Sequence, residues 1–253
     1  MSGLARKIVD DILRRRPFEP RESEISGLDH AYRVQAEVTA ALLADRADRR
    51  VAGYKIAFNR RSSLEYYALT EPCYAPLFSD QLYQSGATLP FSTYDDLIVE
   101  PEIALVLRRE LRGGEPAETF ADAVGSFLPA IEVMDVRGAF ARDPSAAAAV
   151  AQRIHSEGAV LGEASGIINL DLDQVVATLA VDGVVKDEAK GAAPQPPLAA
   201  LAWLASRLAR DGLQLDAGMV VLTGSHLPGH AVRQPCELCV RLEPLGSVGV
   251  KWK

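Results

Sequence analysis

Apolar residues recur at the spacing of one helical turn in the first part of the chain, a period typical of amphipathic helices. One such stripe predicts a helix over residues 4–16 and consists of Leu4, Ile8 and Ile12. The basic run Arg14–Arg16 would lie at the C-terminal end of that helix, where cations are favourable. A second helix is predicted over about residues 28–47.

Strand-like patterns dominate the rest of the chain. The stretch "QVVATLAVDGVVK" predicts a hairpin that turns at Asp182 and Gly183, because this dipeptide suits a two-residue turn. Apolar stretches of strand length predict further strands in residues 51–58, 103–111, 129–136, 157–164, 219–224 and 236–252.

Shorter helical patterns interrupt these strands. Residues 62–69 and 119–128 each predict a short helix. In "ARDPSAAAAVAQRI", Asp143 suits the N-cap and Pro144 the first helical position, so a helix is predicted to begin there. A leucine stripe predicts one more helix, which stops near Gly212 and buries Leu198, Leu201, Leu204 and Leu208.

This distribution of patterns indicates the fold class. Helices crowd the first third of the chain and strands dominate the remainder, which favours an α+β fold over a doubly wound parallel sheet. We expect an N-terminal helical portion over residues 1–50 and a β-rich portion over residues 51–253. A length of 253 residues is compatible with one structural unit made of both.

Composition and charge exclude several classes of protein. The net charge of −7 argues against nucleic acid or an anionic membrane as a partner. Residues 1–16 lack the apolar core of a signal peptide, and no apolar run approaches the length that spans a bilayer. Three cysteines suit a reducing compartment, so a cytoplasmic protein is expected. Cys236 and Cys239 form a C-x-x-C without a second pair, which favours a structural role over a metal site.

The stretch "LIVEPEIALVLRREL" places two carboxylates at the entrance of a buried strand. Side chains two apart on a strand share a face, so Glu100 and Glu102 are expected to point the same way. Burying them is costly unless a cation compensates their charge. Pro101 indicates a strand start, an edge or a bulge, where side chains can be re-aimed. Two glutamates are a weak motif, and the alternative is that both are solvated.

Two further charges interrupt apolar strands. Glu132 lies in "PAIEVMD" between core residues, and with Glu100 and Glu102 it would form an all-oxygen site. Such ligands favour a hard cation, Mg²⁺ first and then Mn²⁺ or Ca²⁺. Lys55, in "GYKIAF", is either a snorkelling surface lysine or a charge that grips an anionic substrate. Together these residues predict a functional site.

These motifs carry a resemblance to a known family. The matching stretches run nearly from end to end: "DHAYRVQ", "GYKI", "EPCYAPLFSD", "VEPEIALVL", "LPAIEVMDVR", "GAVLG", "WLA", "VVLTG" and "LGSV". In them the chain resembles the 2-keto-4-pentenoate hydratase and 4-oxalocrotonate decarboxylase group of the fumarylacetoacetate hydrolase superfamily. The resemblance implies that superfamily's β-rich roll or sandwich with an N-terminal helical portion, and a homo-oligomer.

The resemblance also assigns roles to residues. The family lysine falls on Lys55, and the acidic residue after "LF-x" falls on Asp80. The arginine that follows the third metal ligand falls on Arg137, and Thr223 in "VVLTG" is a further candidate for substrate binding. The ligands of the divalent metal, Mg²⁺ with Mn²⁺ as the alternative, fall on Glu100, Glu102 and Glu132.

Three segments depart from the family pattern. "GYKIAFNR" stands where relatives read "GYKIGLTS", "AQRIH" where they read "ADNAS", and "QPPL" where they read "GHPL". These segments help to line the substrate pocket in the family, which suggests a different substrate or a different step on it. The alternative is a protein that binds metal and oxo-acid but has lost catalysis.

The resemblance implies chemistry on 2-hydroxydienoic acids and their 2-oxo tautomers. A divalent metal would stabilise an enolate, which serves hydration or decarboxylation, and hydration is the favoured reaction. Lys55 would pair with the anionic substrate, and Asp80 would move a proton or orient water. Arg60, Arg153 and His155 would bind the far end of the substrate, where the two arginines predict a second carboxylate. The alternative for these three residues is a solvated loop surface.

Overall fold

The computed structural model describes residues 1–19, 21–116, 119–142, 145–166 and 170–253. Its mixture of helices and mixed sheets confirms the predicted α+β class. The helix start predicted at Asp143 and Pro144 lies outside the described residues.

Two long helices form the N-terminal part of the chain. α1 spans Gly3–Leu13 and begins at the Ser2 hydroxyl, which accepts a hydrogen bond from the Ala5 N–H. It ends three residues earlier than predicted because Arg15 adopts a left-handed backbone conformation and its guanidinium pairs with Asp135 at 3.0 Å. α2 spans Leu28–Ala44, so it begins where predicted and ends three residues earlier, and it buries a face that includes Tyr32, Gln35, Val38 and Leu42.

Five further helices lie among the strands: α3 (Arg61–Tyr66), α4 (Thr119–Ala123), α5 (Ala139–Arg142), α6 (Ala146–Ala151) and α7 (Pro197–Arg210). α6 is capped by the Ser145 hydroxyl, which accepts a hydrogen bond from the Ala148 N–H. The leucine stripe of α7 is confirmed, since Leu201, Leu204 and Leu208 are buried.

The strands form two sheets in the described part of the chain. The first contains β1 (Val51–Ala57), β2 (Cys73–Phe78), β3 (Leu82–Gln84), β5 (Leu97–Leu107), β6 (Val124–Asp135), β7 (Ser156–Leu161), β10 (Val220–Ser225) and β11 (His230–Ala231). Its strand order is β2-β1-β10-β5-β6-β7-β3, and β11 pairs with β5. The second contains β4 (Ala87–Leu89), β8 (Val176–Val181), β9 (Val184–Lys190), β12 (Cys236–Glu243) and β13 (Gly246–Trp252). Its strand order is β4-β13-β12-β8-β9.

Several local predictions can be compared with these strands. The hairpin is confirmed, because β8 and β9 pair across Asp182 and Gly183, whose φ angles are 50° and 77°. The helix predicted over residues 119–128 is wrong in its second half. α4 ends at Ala123 and β6 begins at Val124, because Phe127 is buried there and pairs with Leu105 of β5, which no helical period reveals.

β5 begins at Leu97, so the two glutamates lie inside a central strand and not at its entrance. Pro101 is tolerated there because the register between β5 and β10 shifts between Leu222 and Ser225, next to it. This irregularity confirms the bulge that Pro101 indicates.

The first sheet has apolar side chains on both faces. One face belongs to the main core, which also buries α1, α2, α7 and the inner side of the second sheet. The division of the chain at residue 50 stays a prediction. Within the described ranges, no helix is both long and apolar enough to cross a membrane. The other face of the first sheet carries a smaller buried cluster of Leu77, Ala104, Leu128, Ala130, Ala159, Leu161, Val220 and Leu222.

Candidate functional site

Three carboxylates converge on the face that carries the smaller apolar cluster. Glu102 lies two residues before Ala104 on β5, and Glu132 lies two residues after Ala130 on β6, so both continue this face. Glu100 is directly opposite Glu132 in the sheet register. One carboxylate oxygen from each glutamate lies within 4.8 Å of the other two. The spacing of Glu100 and Glu102 thus places both carboxylates on one face of the strand, as the sequence predicts.

Burial makes this carboxylate triad electrostatically costly. Glu102 is fully buried and Glu132 is 1% exposed. Desolvation, followed by the charge of Glu132, raises the pKa of Glu100 to about 7, although Lys55 and Arg60 oppose this rise. Burial, followed by the charges of Glu132 and Glu100, raises the pKa of Glu102 well above its usual range. Glu100 and Glu102 therefore favour the protonated form unless a further cation lies beside them.

The donor set fits a hard divalent cation. Oε2 of Glu102 accepts a hydrogen bond of 2.6 Å from the backbone N–H of Gly224. Its buried Oε1 has no hydrogen-bond partner among the described residues. A buried oxygen of this kind is costly, and a cation would satisfy it. Three carboxylate oxygens are ligands typical of Mg²⁺, Mn²⁺ or Ca²⁺ and not of zinc.

Lys55 supplies a compensating charge from the chain itself. It lies on β1 and is 1% exposed, and its Nζ forms an ion pair with Oε1 of Glu132. A snorkelling lysine would place its ammonium in water, so this burial excludes that alternative. A bound cation and Lys55 would share the carboxylate of Glu132.

Lys55, Glu100 and Glu132 line a cavity of about 350 Å³. Its polar lining includes Lys55, Asn59, Arg60, Ser63, Glu100 and Glu132. Its apolar lining includes Ile98, Met134, Val136, Phe140, Ile154 and Leu227. The volume and this mixture of groups suit a small organic anion with a short hydrocarbon chain.

Arg60 reaches the cavity from a loop that is tied to the end of β10. The buried amide of Asn59 donates a hydrogen bond of 2.9 Å to the carbonyl oxygen of Thr223. Nη2 of Arg60 donates one of 2.6 Å to the carbonyl oxygen of Ser225. Gly224 makes this approach feasible, since a Cβ at its position would clash with the Asn59 amide. The loop is therefore held on both sides of Gly224.

Asp80 lies outside the cavity lining that the described residues form. Its carboxylate is paired with Nη2 of Arg49 at 2.7 Å and with Nη1 of Arg46 at 3.1 Å. Although burial opposes the shift, the hydrogen bond and charge of Arg49 lower the pKa of Asp80. These ion pairs hold Asp80 outside the described lining, and the expectation that it moves a proton or orients water stays a prediction.

Arg137 and Thr223 form hydrogen bonds within the protein, and their expected contact with substrate stays a prediction. Nη1 of Arg137 donates to the carbonyl oxygens of Asp11, at 2.9 Å, and Arg16, at 3.1 Å, which fastens the end of α1 to the end of β6. The hydroxyl of Thr223 donates to the carbonyl oxygen of Ile103 at 2.9 Å. Both side chains are buried, and neither belongs to the described cavity lining.

Arg153 and His155 lie outside the described cavity lining, and the expectation that they bind the far end of the substrate stays a prediction. Arg153, Ile154 and His155 have φ angles of 57°, 48° and 56°. This left-handed conformation costs about 1–3 kcal/mol for each residue. The guanidinium of Arg153 lies 4.0 Å from the centroid of the Phe78 ring, and the ring of His155 lies 5.0 Å from that of Phe18. These contacts hold both polar side chains in the protein interior, and Ile154 lines the cavity between them.

The sequence patterns missed two contributors to the site. Ile154 is a single apolar residue between polar ones, and no periodicity marks it as a cavity residue. Gly224 supplies the N–H that orients Glu102, and its only signal in the sequence is a glycine that follows an apolar strand.

Comparison with known proteins places this geometry in a family, although no protein-family model matches the chain. A 2-keto-4-pentenoate hydratase from Burkholderia vietnamiensis is 35% identical over 203 residues, which cover 79% of this chain and 77% of that protein. A 4-oxalocrotonate decarboxylase from a Pseudomonas species is 29% identical over 222 residues, 85% of each chain. The solved structure of a 4-oxalocrotonate decarboxylase from Pseudomonas putida G7, complexed with magnesium and adipate, gives a TM-score of 0.90 at 23% identity. The match covers 99% of this chain and 96% of that chain.

The two kinds of comparison support different conclusions. The structural match shows the fold and confirms the predicted fumarylacetoacetate hydrolase type with its N-terminal helical part. The match at 35% identity over most of both chains shows the family. This chain therefore belongs to the 2-keto-4-pentenoate hydratase family of lyases and has the fumarylacetoacetate hydrolase type of fold.

Proposed function

We propose that this lyase is a Mg²⁺-dependent hydratase of a 2-hydroxydienoic acid or its 2-oxo tautomer, with Mn²⁺ as the alternative metal. The observation that carries the proposal is the convergence of three carboxylate oxygens within 4.8 Å beside the buried ammonium of Lys55. Two of these glutamates, Glu100 and Glu132, line a small cavity together with Lys55. Hydratase relatives at 35% identity support the reaction, and a magnesium-bound structural neighbour supports the metal.

Each group of residues has a distinct role in this proposal. Glu100, Glu102 and Glu132 would hold the metal, which when bound supplies positive charge that stabilises an enolate at the 2-oxo group. Lys55 carries its proton at Nζ and donates it in a hydrogen bond to the carboxylate of the 2-oxo acid. The N–H of Gly224 keeps the Glu102 carboxylate oriented, as groups behind metal ligands generally do.

The apolar lining binds the hydrocarbon chain of the acid. Met134, Phe140 and Ile154 present apolar side chains that would contact this hydrocarbon chain. Proton transfer falls to the polar lining, because Asp80 is engaged with its two arginines elsewhere.

Decarboxylation of a 2-oxo diacid is the second candidate. A decarboxylase relative is 29% identical over 85% of the chain, which is close to the identity of the hydratases. Both reactions proceed through the same kind of enolate, so the triad and Lys55 would serve either of them. The products distinguish the two, since only decarboxylation releases CO₂.

The test uses chelator-treated protein with Mg²⁺ restored. Loss of dienoate absorbance without CO₂ release supports hydration, and stoichiometric CO₂ release supports decarboxylation. Glu102→Gln keeps the shape of the side chain and removes its charge, so Mg²⁺ binding in calorimetry and turnover should both be lost. Glu188→Gln, on the exposed edge strand β9, is the matched control and should retain both. Metal binding without turnover of any dienoate would indicate a non-catalytic binder of metal and oxo-acid.

We further infer that the protein is a cytoplasmic homo-oligomer. Cys73, Cys236 and Cys239 are free thiols, which suit a reducing compartment, and family membership supports the oligomer. Light scattering on the purified protein tests the oligomeric state, and the mass of a monomer at micromolar concentration would contradict a homo-oligomer.

A further inference from the structure

We propose that Arg60 binds a second carboxylate at the far end of the substrate, so that this site is specific for dicarboxylic 2-oxo acids. The inference rests on the proposed function and names the class of substrate for that same cavity.

Arg60 is a cation of the cavity lining that lacks a carboxylate partner in the described part of the chain. The other lining cation in these ranges, Lys55, is paired with Glu132. Arg60 donates from Nη2 to the carbonyl oxygen of Ser225, which is a neutral acceptor. A half-buried guanidinium with this partner keeps a positive charge on the cavity wall, and no described carboxylate lies within 4.0 Å of it, although its charge acts on Glu100.

Arg60 is also separate from the place where the 2-oxo acid head would bind. Glu100 and Glu132 line the same cavity, but among the described residues neither forms an ion pair with Arg60, so their oxygens lie more than 4.0 Å from its nitrogens. The triad belongs to β5 and β6, whereas Arg60 follows β1 on the loop tied to β10. A substrate whose head lies at the triad and Lys55 therefore meets Arg60 with a more distant group.

The guanidinium is held in place before any ligand arrives. The hydrogen bonds from Asn59 to Thr223 and from Arg60 to Ser225 fix the loop on both sides of Gly224. A fixed guanidinium loses little conformational freedom on binding, and its remaining N–H groups form the planar fork that suits a carboxylate. The cavity of about 350 Å³ accommodates a short diacid between these two ends.

The test compares two acids of equal length that differ only at the far end, 2-oxohexanoate and 2-oxohexanedioate. Calorimetry on the Mg²⁺-loaded wild type should show the diacid binding about tenfold more tightly or better. Arg60→Gln should bring the two affinities together, because it should weaken the diacid more than the monoacid. Arg60→Lys should retain part of the preference, because lysine keeps the charge without the fork. Arg61→Gln is the matched control, since the neighbouring Arg61 is 92% exposed and pairs with Glu65, and it should behave as wild type.

Three results would overturn the proposal. Equal affinities of the wild type for both acids would show that no cation reads the far end. Equal weakening of both acids in Arg60→Gln would place Arg60 at the head of the substrate. Failure of the Mg²⁺-loaded wild type to bind either acid would refute the proposed function itself, and the assignment of Arg60 would fall with it.

Discussion

Replacing Lys55 by methionine keeps the apolar stem of the side chain and removes its charge. In the metal-free protein, the carboxylate of Glu132 then remains 1% exposed, beside Glu100 and Glu102 and without its ion-pair partner. Removing one member of a buried ion pair costs about 3–5 kcal/mol, because the charge left behind is uncompensated. We therefore expect the metal-free variant to be less stable than the wild type.

Proton uptake limits this cost and gives it a pH dependence. For a glutamate with an ordinary pKa of about 4.3, neutralisation costs about 4 kcal/mol at pH 7 and about 1 kcal/mol at pH 5. The free energy of unfolding of Lys55→Met should therefore fall by about 3–4 kcal/mol at pH 7 and by only about 1 kcal/mol at pH 5. In a chain of this length, the loss at pH 7 corresponds to a decrease in Tm of roughly 10 °C.

A divalent cation at the triad would replace the missing charge. Mg²⁺ or Mn²⁺ should restore most of the lost stability of Lys55→Met and should bind this variant at least as tightly as the wild type, because a competing cation beside Glu132 has been removed. Thermal unfolding followed by circular dichroism, at both pH values and with and without metal, measures these effects.

The control is Lys251→Met, which removes an exposed ion pair with Glu237 and should change the stability by less than about 1 kcal/mol. If metal-free Lys55→Met unfolds at the wild-type temperature at pH 7, the buried pair does not stabilise the triad and this reasoning is refuted.

Three further predictions concern His155 and Asp80, which lie outside the described cavity lining, and Ile154, which lines the cavity with a strained backbone. Burial lowers the pKa of His155 to about 3, so its contribution to stability is full above pH 6.5 and is lost as the pH falls toward 3. Between pH 7 and pH 5 the free energy of unfolding of the wild type should fall by about 2 kcal/mol through this residue. In urea unfolding this contribution should be absent from His155→Gln and present in the control His30→Gln. At the left-handed position 154, Ile154→Gly should be more stable than Ile154→Ala by about 1 kcal/mol, and the reverse order would show that the backbone there is unstrained. Asp80→Asn should keep kcat/KM within about twofold of wild type and lose about 1 kcal/mol of stability with its ion pairs, whereas a large loss of kcat would return Asp80 to the catalytic machinery.

The carboxylate triad was predictable because its signal is local. Glu100, Glu102 and Glu132 are charges within apolar strands, and the strand period alone places the first two on one face. The proximity of Glu100 and Glu102 to Glu132 depends on the pairing of β5 with β6. The sequence does not fix this pairing, and the register of the two strands shows it. The leucine stripe of α7 and the hairpin at Asp182 were predictable for the same reason, since their periods and turn residues are also local.

The surroundings of the triad were not predictable in this way. Asp80 is neutralised by Arg49, which lies 31 positions earlier in the chain, and no local pattern pairs these two residues. Arg153 and His155 are directed inward by three successive left-handed residues, a conformation that no polar pattern of side chains announces. Arg60 was placed correctly in the cavity, but the contact that fixes it, with Ser225, spans 165 positions.

The attachment of the triad to central strands links the stability of the chain to its chemistry. Glu102 lies opposite Ala130, and Glu100 lies opposite Glu132, on strands whose hydrogen bonds prevent the carboxylates from moving apart. Their repulsion must therefore be relieved by protonation, by Lys55 or by a metal ion. Lys55 and the metal compete for Glu132, so the residue that stabilises the metal-free chain also weakens its grip on the metal. A chain without this lysine would bind metal at least as tightly and would be less stable without it, which is why the loss of stability in Lys55→Met should largely disappear when metal is added.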